Sequence, residues 1–211
     1  MLCDACYEDA GRVKEPYCER CGESYDGVIG AGFVCPNCDG LDYAFDFAFS
    51  ALLNTVPNHQ LVVDFKYRGR RGLSRELACF CDEVLREHPR FSQLPDPVLV
   101  PVPLHWRKQW QRGFNQAELL AQQLSTLGFA PSLSLLKRTR FTETQTKLSR
   151  AQRAENLKGA FVARELPEQF RSVILLDDVF TTGATAHACA LAVKKHAPEV
   201  ENVVVLTALR G

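Results

Sequence analysis

No stretch of this 211-residue chain is apolar for long enough to cross a bilayer, so membrane insertion is not expected. Nor does the N-terminus carry a charged segment followed by a hydrophobic one, the mark of export. Net charge is missing as well: 25 basic side chains balance 25 acidic ones, and bulk electrostatics name no partner. Nine cysteines without an export signal fit a reducing, cytoplasmic setting, where paired cysteines hold metal rather than form disulfides. The length allows one domain, or one domain with a small appendage.

What is present begins with three Cys-x2-Cys pairs: Cys3/Cys6, Cys18/Cys21 and Cys35/Cys38. Two-residue spacing turns both thiolates of a knuckle toward one ion, and two knuckles complete a tetrahedral zinc site. Few large apolar residues lie between the pairs, so a segment of about 40 residues needs such a staple to fold. Cys18, Cys21, Cys35 and Cys38 are the preferred ligands, because the loop joining them is glycine-rich and ends in the apolar pair Phe33-Val34. Cys3 and Cys6 joining Cys18 and Cys21 is the alternative. Four thiolates leave no open coordination position and no His or carboxylate joins the pattern, so the zinc is expected to be structural.

Residues 44–56 alternate large apolar with small residues and suit a strand or a short helix. Residues 61–67 read as a strand, followed by the basic turn Arg68 to Gly72. Further strands are expected at about 98–102, 173–177 and 203–207, with helices at about 74–87, 116–127 and 186–196. Cys79 and Cys81, two apart on a helix, point to different faces and are bystanders. The alternation gives an α/β domain with a mainly parallel sheet flanked by helices, occupying 44–211 after a zinc-ribbon domain at 1–43.

The most informative stretch is Val173 to Thr185. Four buried apolar residues end in Asp177-Asp178, followed by the turn Thr181-Thr182-Gly183-Ala184-Thr185 and a helical run. A strand, a hydroxyl-and-glycine turn and a helix N-terminus make an anion cradle, with two carboxylates free to accept from sugar hydroxyls. Pro101-Val102, then Arg112-Gly113-Phe114-Asn115-Gln116, place a second anion-seeking turn at the C-terminal edge of another strand. Charge is also unevenly spread: residues 1–45 hold nine acidic and three basic side chains. Basic residues cluster at Lys66 to Arg75, at Arg107 to Arg112 and at Lys137 to Lys158, which favours a polyanionic ligand. Residues 137–158 are basic, polar and short of large apolar side chains, and read as a mobile loop.

The stretch 173–185 resembles the phosphoribosyl-pyrophosphate (PRPP) signature of type I phosphoribosyltransferases. The resemblance implies that Asp177 and Asp178 hold the ribose hydroxyls while Thr181, Thr182, Gly183, Ala184 and Thr185 wrap the 5′-phosphate. Pro-Val-Pro-Leu-His at 101–105, Arg-Gly-Phe-Asn-Gln at 112–116 and Thr-Gln-Thr-x-Leu-Ser-Arg at 144–150 stand in the order found in the ComF family. Those are phosphoribosyltransferase-like proteins that often carry an N-terminal double zinc ribbon. By this resemblance Cys18/Cys21 and Cys35/Cys38 match the family's third and fourth pairs. Pro101, Val102 and Arg112 would serve the diphosphate, and a flexible loop carrying Arg138, Gln145, Thr146, Arg150 and Arg153 would close over PRPP. The implied activity is magnesium-dependent phosphoribosyl transfer to an acceptor that nothing in the chain announces. A single-stranded-DNA adaptor in DNA uptake, working with competence or DNA-processing proteins, is the second expectation. A PRPP sensor without turnover is the third. The glutaminase-linked variant of the chemistry is not expected, because no N-terminal catalytic cysteine arrangement occurs.

Overall fold

The structure, a computed structural model, describes residues 2–30, 32–140 and 156–211. Its centre is a sheet of runs rich in Val, Ile and Leu, the composition of strands covered on both faces. β1 (Phe47–Leu52), β2 (Pro97–Pro101), β5 (Ser172–Phe180) and β6 (Asn202–Arg210) lie in the order β1-β6-β5-β2, with every neighbouring pair parallel. A separate antiparallel pair joins β3 (Leu136–Arg138) to β4 (Phe161–Ala163). The helices are α1 (Asp4–Glu8), α2 (Val56–Tyr67), α3 (Leu73–Glu87), α4 (Pro89–Ser92), α5 (Trp106–Arg112), α6 (Gln116–Thr126) and α7 (Ala184–His196). Among the described residues no helix is long and apolar enough to cross a membrane.

Two-residue alternation along β5 sends Val173 and Leu175 to one face of the sheet and Ile174 and Leu176 to the other. The first face packs against α7, the β3–β4 pair and the buried cysteines Cys21 and Cys35. The small buried residues of α7, Ala186, Cys189 and Ala190, let its backbone come close to the strands. The second face packs against α2, α3 and α6 through Phe65, Leu77, Phe80, Leu120 and Leu124.

The expected strand at 61–67 is a helix. Thr55 caps it, its Oγ accepting from the Asn58 amide at 3.4 Å, and Pro57 sits in the first turn. Asn58, Val62 and Phe65 are then buried at helical spacing. The β-branched run Val62-Val63 favours a strand locally, but the cap and the burial of one helical face outweigh it. Within residues 44–56, Phe47–Leu52 forms β1. The basic stretch expected as one loop from residue 137 opens instead as strand β3, because Leu136 is buried and Arg138 pairs in register with Phe161.

The Cys-rich segment lies along the outer edge of β1. Backbone bonds run from Ala48 N to Arg20 O (2.9 Å), from Val13 N to Ala51 O (3.1 Å) and from Leu53 N to Gly11 O (2.7 Å). An otherwise open sheet edge is thereby covered.

Candidate functional site

The site forms where β2 leaves the sheet. Pairing between β2 and β5 ends at Pro101 and Leu176, with Val102 N donating to Leu176 O at 2.8 Å. β5 continues to Phe180 while paired only with β6, through Asp177–Thr207, Val179–Leu209 and Phe180–Arg210. From Asp177 onward its other side, among the described residues, has no strand neighbour, and a crevice opens at the C-terminal edge of the sheet. Ligands of open α/β sheets bind at that edge.

The acidic pair divides across the strand. Asp177 continues the face of Val173 and Leu175 and lines a narrow cleft with Thr181, Thr182, Gly183, Ala184, Thr185 and Thr207. Its Oδ1 accepts from the Asp178 amide at 2.8 Å. Burial, reinforced by the neighbouring charge of Asp178, pushes the Asp177 carboxyl up to about 7, against the opposing pull of Lys66 and Arg138. Asp178 continues the face of Leu176, is 8% exposed, and pairs with Lys66 Nζ at 2.9 Å. The two carboxylates expected on one sugar thus have separate surroundings and meet only at the strand's end.

Gly183 closes the turn with φ of 73° and forms the N-cap of α7 without a side-chain bond. Among the described residues no side chain caps the first amides of α7, and a helix N-terminus of this kind suits an anion. A Cβ on Gly183 would stand 2.9 Å from both Phe180 Cζ and Tyr43 Cε1, so only glycine fits.

On the β2 side, Pro101 and Val102 are buried, and Asn115 Nδ2 donates to Val102 O at 3.1 Å while Asn115 Oδ1 caps α6. Gly113 ends α5 in the left-handed conformation, and Phe114 enters the core. Arg112 donates to Gln116 Oε1 (3.1 Å) and to Tyr67 OH (3.0 Å), so it braces α5 against α2 and α6. The segment 112–116 mainly sets the shape of the turn after β2. Burial lowers the Lys108 ammonium from its usual range, and repulsion from Arg138, Arg112 and Lys66 adds to it. Lys66, Lys108, Arg112 and Arg138 therefore share one neighbourhood at the crevice, an arrangement that favours a polyanion.

In the sequence Lys66 is one member of a basic cluster; in the structure its ammonium pairs with Asp178. Read as strand, it had no defined direction; on α2 it reaches the acidic pair. Its neighbours Arg68 and Arg70 are instead held at Asp64, both at 3.0 Å, and serve the helix end. Of the expected loop residues Arg138 sits near Asp177, whereas Gln145, Thr146, Arg150 and Arg153 lie outside the described residues.

Cys18, Cys21, Cys35 and Cys38 converge, all four Sγ atoms within 4.8 Å of one another. Cys18 and Cys38 are 3.8 Å apart and Cys21 and Cys35 are 3.7 Å apart. Zinc–sulfur bonds of about 2.3 Å in a tetrahedron require S···S edges of about 3.8 Å, so the donor set fits zinc. Tyr25 OH donates to Cys35 Sγ at 2.9 Å, and although burial opposes it, such bonds lower the Cys35 thiol. Cys3 and Cys6 are exposed and stand outside this cluster.

A mainly parallel α/β sheet with flanking helices, joined to a Cys-rich cluster whose geometry is compatible with a zinc ribbon, defines the class of protein. No protein-family model matches the chain. Competence protein F of Haemophilus influenzae is 35% identical over 199 residues, covering 92% of this chain and 84% of that protein. DNA utilization protein YhgH of Escherichia coli K12 is 46% identical over 189 residues, covering 87% and 80%. Competence protein ComFC of Bacillus subtilis matches over 93 residues at 37% identity, 44% of this chain and 36% of that one. Among solved structures, adenine phosphoribosyltransferase from Leishmania tarentolae is similar over 70% of this chain and 74% of that one, at 15% identity and a TM-score of 0.36. The chain belongs to the competence protein F (ComF) family.

Proposed function

We propose that this chain binds PRPP, or a related phosphorylated ribose, at the turn after β5 and transfers its phosphoribosyl group to a nitrogen acceptor. The observation that carries the reading is the meeting, at one crevice, of an adjacent carboxylate pair, one buried and one partly exposed, a glycine turn at a helix N-terminus and a group of cations. The 5′-phosphate fits the amides of Thr181 to Thr185, and the ribose hydroxyls fit Asp177 and Asp178. The diphosphate lies toward the Pro101-Val102 turn, Lys108 and Arg138. In the transfer the C1–O bond breaks with its electron pair leaving on diphosphate, and the nitrogen lone pair forms the new C1–N bond. The cations lower the energy of the departing diphosphate, and the turn holds the reacting carbon in place. Magnesium binds through substrate phosphates and one or two carboxylates, a description that Asp177 and Asp178 fit; bound there, it would neutralise diphosphate charge. In this reading residues 1–43 form the metal-binding unit and 44–211 the phosphoribosyl unit.

Incubation with PRPP, magnesium and a panel of nitrogenous bases should release pyrophosphate. Tight PRPP binding with silence across the panel would favour a sensor. Failure of PRPP to bind at any magnesium concentration would end the reading.

A second surface supports a role with single-stranded DNA, consistent with relatives named for competence and DNA utilization. Trp110 (87% exposed), Tyr67 (66%) and Trp106 (64%) stand on α5 and the end of α2. Arg107 lies 5.2 Å from the Trp106 ring and Arg112 4.9 Å from that of Tyr67. Aromatics beside guanidinium groups suit base stacking along a polyanionic strand. Replacing Asp177 and Asp178 by Asn should remove PRPP binding and spare DNA binding, and DNA affinity should fall steeply with salt. A flat salt response, or joint loss of both ligands, would remove the second surface.

A further inference from the structure

A turn that wraps an anion must show its N–H groups inward and turn its carbonyls away. In a trans peptide the C=O of one residue and the N–H of the next point in opposite directions. Fixing the carbonyls of residues 180, 181 and 182 from behind therefore aims the amides of Thr181, Thr182 and Gly183. Here all three are held. Arg210 Nη1 donates to Phe180 O at 2.8 Å and to Thr181 O at 3.1 Å. The Tyr43 hydroxyl lies 3.0 Å from Thr182 O and 3.1 Å from Asn37 O, its one proton shared between them.

Both struts run back to the four-cysteine knuckle. Asn37 stands between Cys35 and Cys38, and its Nδ2 donates to Glu23 Oε2 at 2.9 Å. The same Glu23 carboxylate pairs with Arg210 Nη2, and the Glu23 carbonyl accepts from Cys18 N at 2.7 Å. The Tyr43 ring also fills the space that a side chain on Gly183 would need. The arrangement spans widely separated parts of the chain: Tyr43 and Thr182 are 139 positions apart, Glu23 and Arg210 are 187.

We infer that Tyr43 and Arg210 are positioning residues for the phosphate turn, anchored through Asn37 and Glu23, so that metal in the four-cysteine site sets the turn's affinity for phosphate. The inference rests on the phosphoribosyl reading above for its ligand, but not for its mechanics. Without metal, four neighbouring sulfurs do not hold Asn37 and Glu23 in place, and the struts lose their fixed ends. The ribbon is then a brace for the site as well as a staple for its own fold.

The test uses the full zinc-loaded chain and three readouts: zinc content, PRPP affinity by calorimetry, and amide hydrogen exchange across residues 180–186. Tyr43→Phe keeps the ring and the metal ligands and removes the hydroxyl that lies between Thr182 O and Asn37 O. It should leave zinc content unchanged, speed exchange in that segment, and weaken PRPP binding roughly tenfold, the worth of about one good hydrogen bond. Glu23→Ala should act in the same direction. Chelating zinc from the wild type should also loosen the segment and weaken PRPP binding, and should do less in the Tyr43→Phe, Glu23→Ala double variant. Unchanged exchange at 180–186 after complete zinc removal would overturn the inference. If PRPP binds to none of these proteins, the phosphoribosyl reading fails. The exchange data on ligand-free protein then decide the coupling alone: accelerated exchange keeps it and unchanged exchange ends it.

Discussion

Replacing Asp177 by Asn should make the ligand-free protein more stable above neutral pH while weakening its hold on a phosphoribosyl ligand. The Asp177 carboxyl is raised from 3.8 to about 7 by burial and by the charge of Asp178. A carboxyl raised on folding contributes stability that is complete below its unfolded value and is lost as pH climbs through its folded one. At about 1.36 kcal/mol per tenfold change in proton affinity, the full span costs roughly 4 kcal/mol, of which 2–3 kcal/mol falls between about pH 5 and 8. Water at the open side of the cleft trims that to about 2 kcal/mol. For a chain of this length that corresponds to about 4–8 °C in melting temperature. Asn removes the titration and keeps an oxygen for the Asp178 amide, which now donates to Asp177 Oδ1. Thermal melts of both proteins across pH 5 to 8.5 should therefore diverge, the wild type falling relative to the variant as pH rises. Histidines that titrate in the same window are common to both proteins and cancel in the difference. Parallel curves would refute the assigned environment of Asp177. A variant that gained stability and still bound PRPP at full strength would refute its assigned contact with the sugar.

Gly183→Ala should abolish PRPP binding and destabilise the fold, since φ is 73° and the new Cβ meets Phe180 and Tyr43 at 2.9 Å; calorimetry and melting check both. Lys66→Met should cost about 3–5 kcal/mol, because it strands the Asp178 carboxylate inside the protein, and the loss should shrink in a Lys66→Met, Asp178→Asn double variant measured by urea unfolding. Cys3→Ser with Cys6→Ser should leave the zinc content unaltered by metal analysis, whereas Cys21→Ser should lower it and the melting temperature together.

The parts legible in the sequence were those whose chemistry is local. Val173 to Leu176, Val98 to Val100 and Val203 to Leu206 are strands because consecutive aliphatic residues need cover on both faces. The Cys18, Cys21, Cys35, Cys38 set needed only spacing and loop composition. The turn around Gly183 announced itself through a residue type that a positive φ demands. What escaped depended on distant partners. Leu61 to Tyr67 carries strand-like residues, and only the cap at Thr55 and the packing of Phe65 make it a helix. Lys66 acquires a defined direction, toward Asp178, only once its segment is a helix. The basic residues looked alike in sequence, yet Arg68 and Arg70 neutralise Asp64, Arg71 lies 4.9 Å from the Phe114 ring and Arg112 braces helices. The struts from Tyr43 and Arg210 join positions too far apart for any periodicity to betray.

The division of the acidic pair explains why two adjacent carboxylates, rather than two spaced by one residue, stand at the end of β5. Alternate residues of a strand share a face, so acids at i and i+2 would repel one another within a single packed layer. Adjacent acids fall on opposite faces, and each meets the cations of its own layer: Lys66 from α2 at Asp178, Arg138 from the β3–β4 pair near Asp177. Deep inside the sheet that separation would prevent any common ligand. Where β2 has left, pairing on that side of β5 ends at Leu176 and the strand runs on, so in the proposed complex a sugar at the strand end would meet one carboxylate on each side. The pairing is unequal: Lys66 Nζ lies 2.9 Å from Asp178, and among the described residues Asp177 has no ammonium at that distance. Under the proposed function, Asp177 is thus the half of the pair whose charge a polyhydroxyl or cationic ligand would stabilise most. The same asymmetry makes the site costly to the empty protein above neutral pH, and it ties the position of departure of β2 to the chemistry of the turn after β5.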